Sequence, residues 1–208
     1  MIHYLSDPSA IYARSFEMIR AEADLTQIPE NARDIAIRII HACGMVEIVE
    51  DLLISPNFAD AATAALGNGK PILVDAEMVR HGIISRQIKT GNEIICTLND
   101  VRAREIGISK SITRCAAAVE LWREKLEGAL VVIGNAPTAL FALLELIDAG
   151  APKPAAIVGF PVGFVGAAES KAELAKNPRG IAFATVKGRK GGSAMASSVV
   201  NAITGDLP

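Results

Sequence analysis

The spacing of apolar positions divides the chain into two parts, which meet near residue 70. Before that point, apolar residues recur every three to four positions, which is the periodicity of amphipathic helices. Asp7-Pro8 and Ser55-Pro56 each place a capping residue before a proline, a combination typical of helix starts. We therefore predict four N-terminal helices: one that begins at Pro8, one over residues 29–43 that ends at Gly44, one over 45–53 and one over 58–66.

Beyond residue 70, short apolar runs alternate with helical patterns. The runs are continuous, as in strands that are buried on both faces, and they occupy residues 71–76, 93–98, 129–133, 155–159 and 181–186. Helical patterns lie at residues 111–126, 137–149, 167–175 and 193–203. This alternation predicts a single α/β domain over residues 1–208. We expect a flavodoxin-like, doubly wound parallel sheet of about five strands in a three-layer α/β/α arrangement.

The N-terminal helices have no strand partners in this prediction. They must either cover the sheet or extend away from it. The order of the strands is left open, because nothing in the local pattern specifies it.

The composition excludes several classes of protein. Hydrophobic residues make up 50% of the chain, and 21 Lys+Arg against 23 Asp+Glu give a net charge of −2. High apolar content with little net charge argues against disorder. A pI of about 6.0 argues against a nucleic-acid binder that relies on a global basic field. Three cysteines do not form an even disulfide framework.

The apolar content of the chain also bears on the location and the assembly of the protein. No apolar run is long enough to span a membrane, and no signal peptide is visible, so we expect a cytoplasmic protein with reduced thiols. The mean hydropathy of +0.33 is high for a soluble chain. It indicates either a large core or apolar surface hidden against another subunit.

Glycine-rich loops follow three of the predicted strands, at the end of the sheet where open α/β proteins bind ligands. They lie within residues 134–138, 159–166 and 188–193. Free N–H groups at the start of a following helix suit an anion, and the alternative is a set of tight strand-to-helix turns. None of the loops is a Walker A or dinucleotide-binding motif. The three histidines lack the spacing of metal ligands.

His41 is the candidate for acid–base chemistry. It lies off the apolar stripe of its helix, in the last turn before Gly44, where the helix dipole stabilises an imidazolium. Arg38, one turn earlier, lowers the His41 pKa by repulsion, so the net direction is open. His41 is therefore either an acid near neutral pH or a surface histidine stabilised by the helix end. Arginines such as Arg38 and Arg114 either bind carboxylates or are ordinary solvated charges.

Several motifs resemble those of precorrin-8X methylmutases. They are Tyr12-Ala-Arg-Ser-Phe16, Arg38-Ile-Ile-His-Ala-Cys-Gly44, Pro71-Ile-Leu-Val-Asp-Ala-Glu-Met78, His81-Gly82, Ile95-Cys-Thr-Leu98, Gly134-Asn-Ala-Pro-Thr-Ala139, the run from Gly159 to Lys171, and Gly188-Arg-Lys-Gly-Gly-Ser193. The resemblance extends from about residue 8 to residue 195 in the same order. Each motif alone is weak, and together they are specific.

The resemblance implies an isomerase of corrin biosynthesis. Such an enzyme moves a methyl group between neighbouring ring-C carbons of precorrin-8X and yields hydrogenobyrinic acid, without a metal or redox cofactor. It implies a flavodoxin-like fold and a homodimer that binds the macrocycle at the subunit interface. His41 matches the family's general acid, and Ser15 and Arg38 match its substrate contacts. Tyr12 and Arg114 are further candidates for substrate binding. No nucleic acid or membrane partner is implied.

Three alternatives stay open. The first is the same rearrangement on cobalt-precorrin-8, which would give cobyrinic acid. The second is a corrinoid carrier without catalysis. The third is a flavodoxin-like FMN protein, against which the lack of a Ser/Thr-rich phosphate loop after the first strand argues.

Overall fold

A six-stranded sheet lies at the centre of the residues that the structure, a computed structural model, describes, namely 2–205. Its strands are β1 (Leu52–Ile54), β2 (Ile72–Val74), β3 (Ile94–Cys96), β4 (Leu130–Ile133), β5 (Ala156–Gly159) and β6 (Ala182–Val186). Their order across the sheet is β1-β6-β5-β4-β2-β3. The predicted domain over 1–208 includes Met1 and residues 206–208, which lie outside the described residues.

Strands β2 to β6 are all parallel to their neighbours. Numbered along the chain, these five run in the order 2-1-3-4-5, which is the flavodoxin-like arrangement. The predicted doubly wound sheet is therefore confirmed. Both faces are covered, since Ile72 and Leu73 point to opposite sides of β2 and both are fully buried.

One strand was not predicted. The prediction of an α-helix over residues 45–53 is wrong, because a short 3-10 helix over Val46–Asp51 leads into β1. β1 pairs antiparallel with β6, so that Leu52 lies opposite Val186 and Ile54 opposite Ala184. The edge of β6 offers unpaired backbone N–H and C=O groups, and pairing with them outweighs the local helical periodicity.

Nine α-helices complete the part of the chain over residues 2–205. They are α1 (Pro8–Glu22), α2 (Arg33–Cys43), α3 (Phe58–Gly67), α4 (Glu77–Gly82), α5 (Val101–Lys110), α6 (Arg114–Glu120), α7 (Pro137–Asp148), α8 (Ala167–Lys176) and α9 (Ser193–Thr204). Two of them, α4 and α5, were missed. In α5 only Ala103 and Gly107 are buried, so its sequence has no clear apolar stripe.

The helices form a layer on each face of the sheet. One core contains Phe16 of α1, Ile39 of α2, Phe58 of α3 and Val199 of α9. The other contains Trp122, with Leu140 of α7 and Leu174 of α8. The N-terminal helices therefore cover the sheet, and this resolves the alternative left open by the sequence. No helix within residues 2–205 is long and apolar enough to cross a membrane.

Asp75 fixes the loops at the point where the strand order reverses, between β2 and β4. Its buried carboxylate accepts hydrogen bonds from the backbone N–H groups of Gly134 (2.9 Å), Asn135 (3.0 Å) and Ala136 (2.8 Å). Burial raises the pKa of the Asp75 carboxyl, and the three hydrogen bonds act in the opposite direction. For the glycine-rich loop after β4, the tight-turn interpretation holds, because its N–H groups are already bonded.

Candidate active site

A cluster of four predicted site residues forms where α1 packs on α2. Tyr12, Ser15 and the buried Phe16 lie on one face of α1, at the three- and four-residue spacing that aligns side chains on a helix. Opposite them, α2 ends at Gly44, whose positive φ of 68° closes the helix. This end places His41 in the last turn of α2, against α1.

The His41 ring is held on three sides. Its Nδ1 lies 3.0 Å from Ser15 Oγ. The ring stacks on Phe16 at a centroid distance of 4.7 Å, and the ring of Tyr12 meets it edge-on at 5.5 Å. These contacts fix the imidazole plane, and the Ser15 contact occupies Nδ1, so that Nε2 is the nitrogen available to a ligand.

Arg38 lies one turn before His41 and is only 8% exposed. Its guanidinium carbon lies 5.3 Å from the Tyr12 ring centroid and 5.8 Å from that of Phe16, within cation–π range. Among residues 2–205 it has no carboxylate or hydrogen-bond partner. Desolvation lowers the pKa of Arg38, yet a guanidinium stays charged in proteins. A buried charge without an anion is costly, so the site is suited to one.

The surroundings of His41 lower its pKa below the ordinary value for histidine, and this resolves the direction of the shift that the sequence left open. Partial burial lowers it first, and the positive charge of Arg38 lowers it further. In the free protein His41 is therefore mainly neutral near pH 7. An anion beside Arg38 would offset the repulsion and favour the imidazolium.

Two cavities meet at His41. The larger, of about 540 Å³, is lined by Arg38 and His41 on one side and by α9 residues from Ser193 to Asn201 on the other. The smaller, of about 170 Å³, lies on the α1 side and includes Ser15 and Glu22. His41 lines both, so a ligand in either cavity is within reach of its ring.

The structure does not place Arg114 in this cluster. Arg114 is exposed at the start of α6, on the opposite face of the sheet. The neighbouring Thr113 caps this helix and bonds through its hydroxyl to that of Thr138, 2.8 Å away at the start of α7. Arg114 thus lies in a second region at the end of the sheet, and its part in substrate binding stays a prediction.

Sequence reasoning missed the contribution of α9. Ser193, Ser197 and Asn201 lie on one face of this helix and line the larger cavity. Their spacing of four residues was the available signal, but it only becomes informative once α9 is known to pack on α2. Within residues 2–205, no group of three or more His, Cys, Asp or Glu side chains is placed to hold a metal ion.

Comparisons with known proteins are consistent with this geometry. The precorrin-8X methylmutase family model matches residues 10–205. The chain is 55% identical to the precorrin-8X methylmutase of Pseudomonas aeruginosa over 98% of both chains. It is also 55% identical to that of a Sinorhizobium species, over 96% of this chain and 95% of the relative. A cobalt-precorrin-8 methylmutase of Priestia megaterium is 37% identical over 95% of this chain and 87% of the relative.

Solved structures agree. A precorrin-8X methylmutase from Thermus thermophilus superposes with a TM-score of 0.85 at 34% identity, and the match covers 94% of each chain. The flavodoxin-like strand order by itself also suits an FMN protein. The near-complete sequence and structure matches decide between these two alternatives. The chain belongs to the precorrin-8X methylmutase family, isomerases of cobalamin biosynthesis.

Proposed function

We propose that this isomerase moves a methyl group on ring C of precorrin-8X to give hydrogenobyrinic acid, with His41 as the general acid. The observation that carries the proposal is the juxtaposition of His41 with Ser15 and the buried Arg38 beside a cavity of about 540 Å³. The family relatives supply the type of reaction, and this cluster supplies a proton donor and an anchor for a carboxylate.

The metal-free substrate is favoured by the pattern of identities. The two relatives at 55% identity are named precorrin-8X methylmutases. Six relatives named cobalt-precorrin-8 methylmutases are 33–37% identical. These identities support our proposal that the substrate is precorrin-8X. Turnover of precorrin-8X and of cobalt-precorrin-8, measured side by side, tests this choice, and faster conversion of the cobalt form would reverse it.

The mechanism starts with charge compensation. A carboxylate of the substrate pairs with Arg38, whose planar guanidinium suits bidentate binding. This pairing removes the repulsion that lowers the His41 pKa, so substrate binding itself promotes protonation of the ring. In the imidazolium, Nδ1–H donates to Ser15 Oγ and Nε2–H faces the macrocycle.

Proton donation then assists the migration. A hydrogen bond or proton from His41 Nε2 polarises the conjugated tetrapyrrole and makes the ring carbon that receives the methyl group more electron-poor. Because substrate and product are isomers, a proton given to the macrocycle returns to His41 Nε2 after the methyl shift. The methyl group moves within one molecule, so the protein need not hold it covalently. The product has extended conjugation, and the same interaction stabilises it. General acids of this kind contribute rate factors of about 10²–10⁴.

We also propose a homodimer in which the second copy helps to enclose the macrocycle. Support comes from apolar side chains that are exposed near the ends of the parallel strands: Met78 (63%), Phe164 (82%) and Val165 (89%). Apolar surface of this kind is typical of an interface or a ligand site. Light scattering on the purified protein tests the proposal, and a mass near 21.9 kDa would contradict it.

The three unpaired cysteines support a cytoplasmic location.

The decisive experiment compares wild type with His41→Ala in a conversion assay followed by absorbance. We expect wild type to convert many equivalents of precorrin-8X per site, and the variant to convert it at least about 100-fold more slowly. Near wild-type turnover by the variant would overturn the role of His41. A single turnover by wild type would indicate the carrier alternative.

A further inference from the structure

The first turn of α9 faces the Arg38–His41 pair across the larger cavity. The helix begins after Gly192, which has no side chain to cap it. The first hydrogen bond along the helix runs from Ala196 N–H to Gly192 O at 3.0 Å. The N–H groups of the three residues before Ala196 therefore have no acceptor within the helix, as is true of the first N–H groups of every α-helix. In α9 no capping side chain accepts from them. The N-terminal end of a helix carries partial positive charge.

Ser193 provides a second and independent observation. Its Oγ is buried and has no hydrogen-bond partner among residues 2–205. The neighbouring hydroxyls on the same helix are bonded, that of Ser197 to Ala194 O at 3.2 Å and that of Ser198 to Met195 O at 2.7 Å. A buried hydroxyl without a partner is unfavourable, and a turn of the Ser193 side chain, which is only partly buried as a whole, towards the cavity would give the hydroxyl a partner in a ligand bound there.

Arg38 lies on the opposite wall of the same cavity, more than nine-tenths buried and without an anionic partner among residues 2–205. Its guanidinium, the Ser193 hydroxyl and the N-terminal end of α9 all favour negative charge. None of the side chains that line this cavity is acidic.

Close packing holds this turn in place. A Cβ at Gly134 would lie 2.9 Å from Ser193 Cα, and a Cβ at Gly82 would overlap the Ser197 hydroxyl. A Cβ at Gly191, which has φ of 152°, would lie 2.5 Å from Phe160 O. The ammonium of Lys171 also donates to Lys190 O in the preceding loop. The N–H groups are therefore preorganised before any ligand binds.

We propose that Ser193 and the first turn of α9, together with Arg38, form a subsite for one acetate or propionate carboxylate of the macrocycle. This inference rests on the proposed function and extends it to residues that the family motifs did not assign. Binding there would place the tetrapyrrole beside His41 Nε2. An amide at the same position on the macrocycle would be rejected, because it brings no charge to compensate Arg38.

The subsite makes two predictions for Ser193→Ala. Removal of an unpartnered hydroxyl leaves the urea midpoint unchanged or raises it, while the affinity for hydrogenobyrinic acid falls about tenfold. Ser170→Ala is the matched control, because its equally buried hydroxyl bonds to Ala167 O on α8, away from this cavity. We expect product affinity in that variant to stay within about twofold of wild type. Equal affinity in Ser193→Ala and wild type would overturn the subsite.

A second arm does not depend on the substrate. In ligand-free protein, sodium acetate should raise the His41 pKa, followed by NMR, compared with chloride at equal ionic strength. The ionisable groups that share a cavity or a ring contact with His41 are Arg38, Glu22 and Tyr12, and all three stay in place. Ser193→Asp should raise the pKa without acetate, since it supplies the anion from the helix start. If neither acetate nor Ser193→Asp raised the His41 pKa, the subsite would be overturned. An acetate effect in a protein that does not bind hydrogenobyrinic acid would retain the subsite and reject the proposed substrate.

Discussion

Ser15 Oγ lies 3.0 Å from His41 Nδ1, across the contact between α1 and α2. The two residues are 26 positions apart in sequence, and neither helix alone would bring them together. The bond selects which imidazole nitrogen faces the cavity, and the stacked ring of Phe16 prevents the imidazole from turning away. An acid that is oriented in advance needs no reorganisation when the substrate binds.

The first prediction separates the proposed acid, His41, from Ser15, which orients its ring. Ser15→Ala should lower kcat about tenfold, since His41 stays present but is less well oriented, whereas His41→Ala should lower it at least about 100-fold. Product affinity, measured by absorbance titration, should change little in Ser15→Ala if Ser15 only orients His41, and it should fall if Ser15 also contacts the substrate, as the family resemblance implies. Ser9→Ala is the control, because Ser9 lies on the same helix and is exposed. Equal losses in Ser15→Ala and His41→Ala would contradict a purely orienting role.

The second prediction concerns pH. Burial and Arg38 both lower the His41 pKa, so NMR titration of the free protein should place it below the ordinary value of about 6.5. Since the proposed general acid is the protonated form of His41, kcat/KM should fall as the pH rises through that value. Arg38→Gln removes the nearby charge and should move the titration to higher pH.

Arg38→Lys keeps the charge and serves as the control for this titration. Its His41 pKa should stay close to that of wild type, although its weaker bidentate binding should raise KM. A wild-type His41 that titrates above about 6.5 would contradict the proposed effect of burial and Arg38.

The third prediction tests the junction between β2 and β4. Asp75→Asn replaces one of the two carboxylate oxygens with an NH₂ group that cannot accept, so at least one of the hydrogen bonds from the N–H groups of Gly134, Asn135 and Ala136 is lost. The free energy of unfolding should fall by about 2–4 kcal/mol, as measured by urea denaturation. Asp60→Asn, at an exposed position on α3, should change it by less than about 0.5 kcal/mol. If Asp75→Asn lowered the free energy of unfolding as little as Asp60→Asn does, the Asp75 carboxylate would not hold the loop after β4.

The fourth prediction concerns the buried Lys171, which is 1% exposed. Desolvation lowers its pKa from 10.5 to about 8. Between these values the unfolded chain holds a proton that the folded protein has lost, so the contribution of Lys171 to stability rises with pH. Relative to Lys171→Met, wild type should gain about 2 kcal/mol between about pH 7.5 and about pH 9.5.

The comparison with Lys171→Met is needed because other groups titrate in the same range. Burial raises the pKa of Cys96 to about 11, which makes the folded state less stable as the pH rises. That contribution is common to both proteins and cancels in the difference. A constant difference across this pH range would show that Lys171 titrates as an ordinary lysine.

Local pattern along the chain was sufficient for much of the fold. Continuous apolar runs predicted all five parallel strands, because a strand covered on both faces has few polar positions. The stop at Gly44 was also predictable, since glycine favours the left-handed conformation that ends α2. For the site, the motifs named Tyr12, Ser15, Arg38 and His41, and these four residues do come together.

Tertiary structure alone decided the rest. β1 forms because the edge of β6 offers unpaired backbone groups, and no local signal in Leu52–Ile54 reports that distant edge. The direction of the His41 pKa depended on how deeply the ring is buried between two helices. The sequence also carried no signal for the unpartnered hydroxyl of Ser193 or for the position of Arg114 on the opposite face of the sheet. Burial, register and charge pairing are properties of surfaces that meet only after folding, whereas strand and helix periodicity is carried by neighbouring residues.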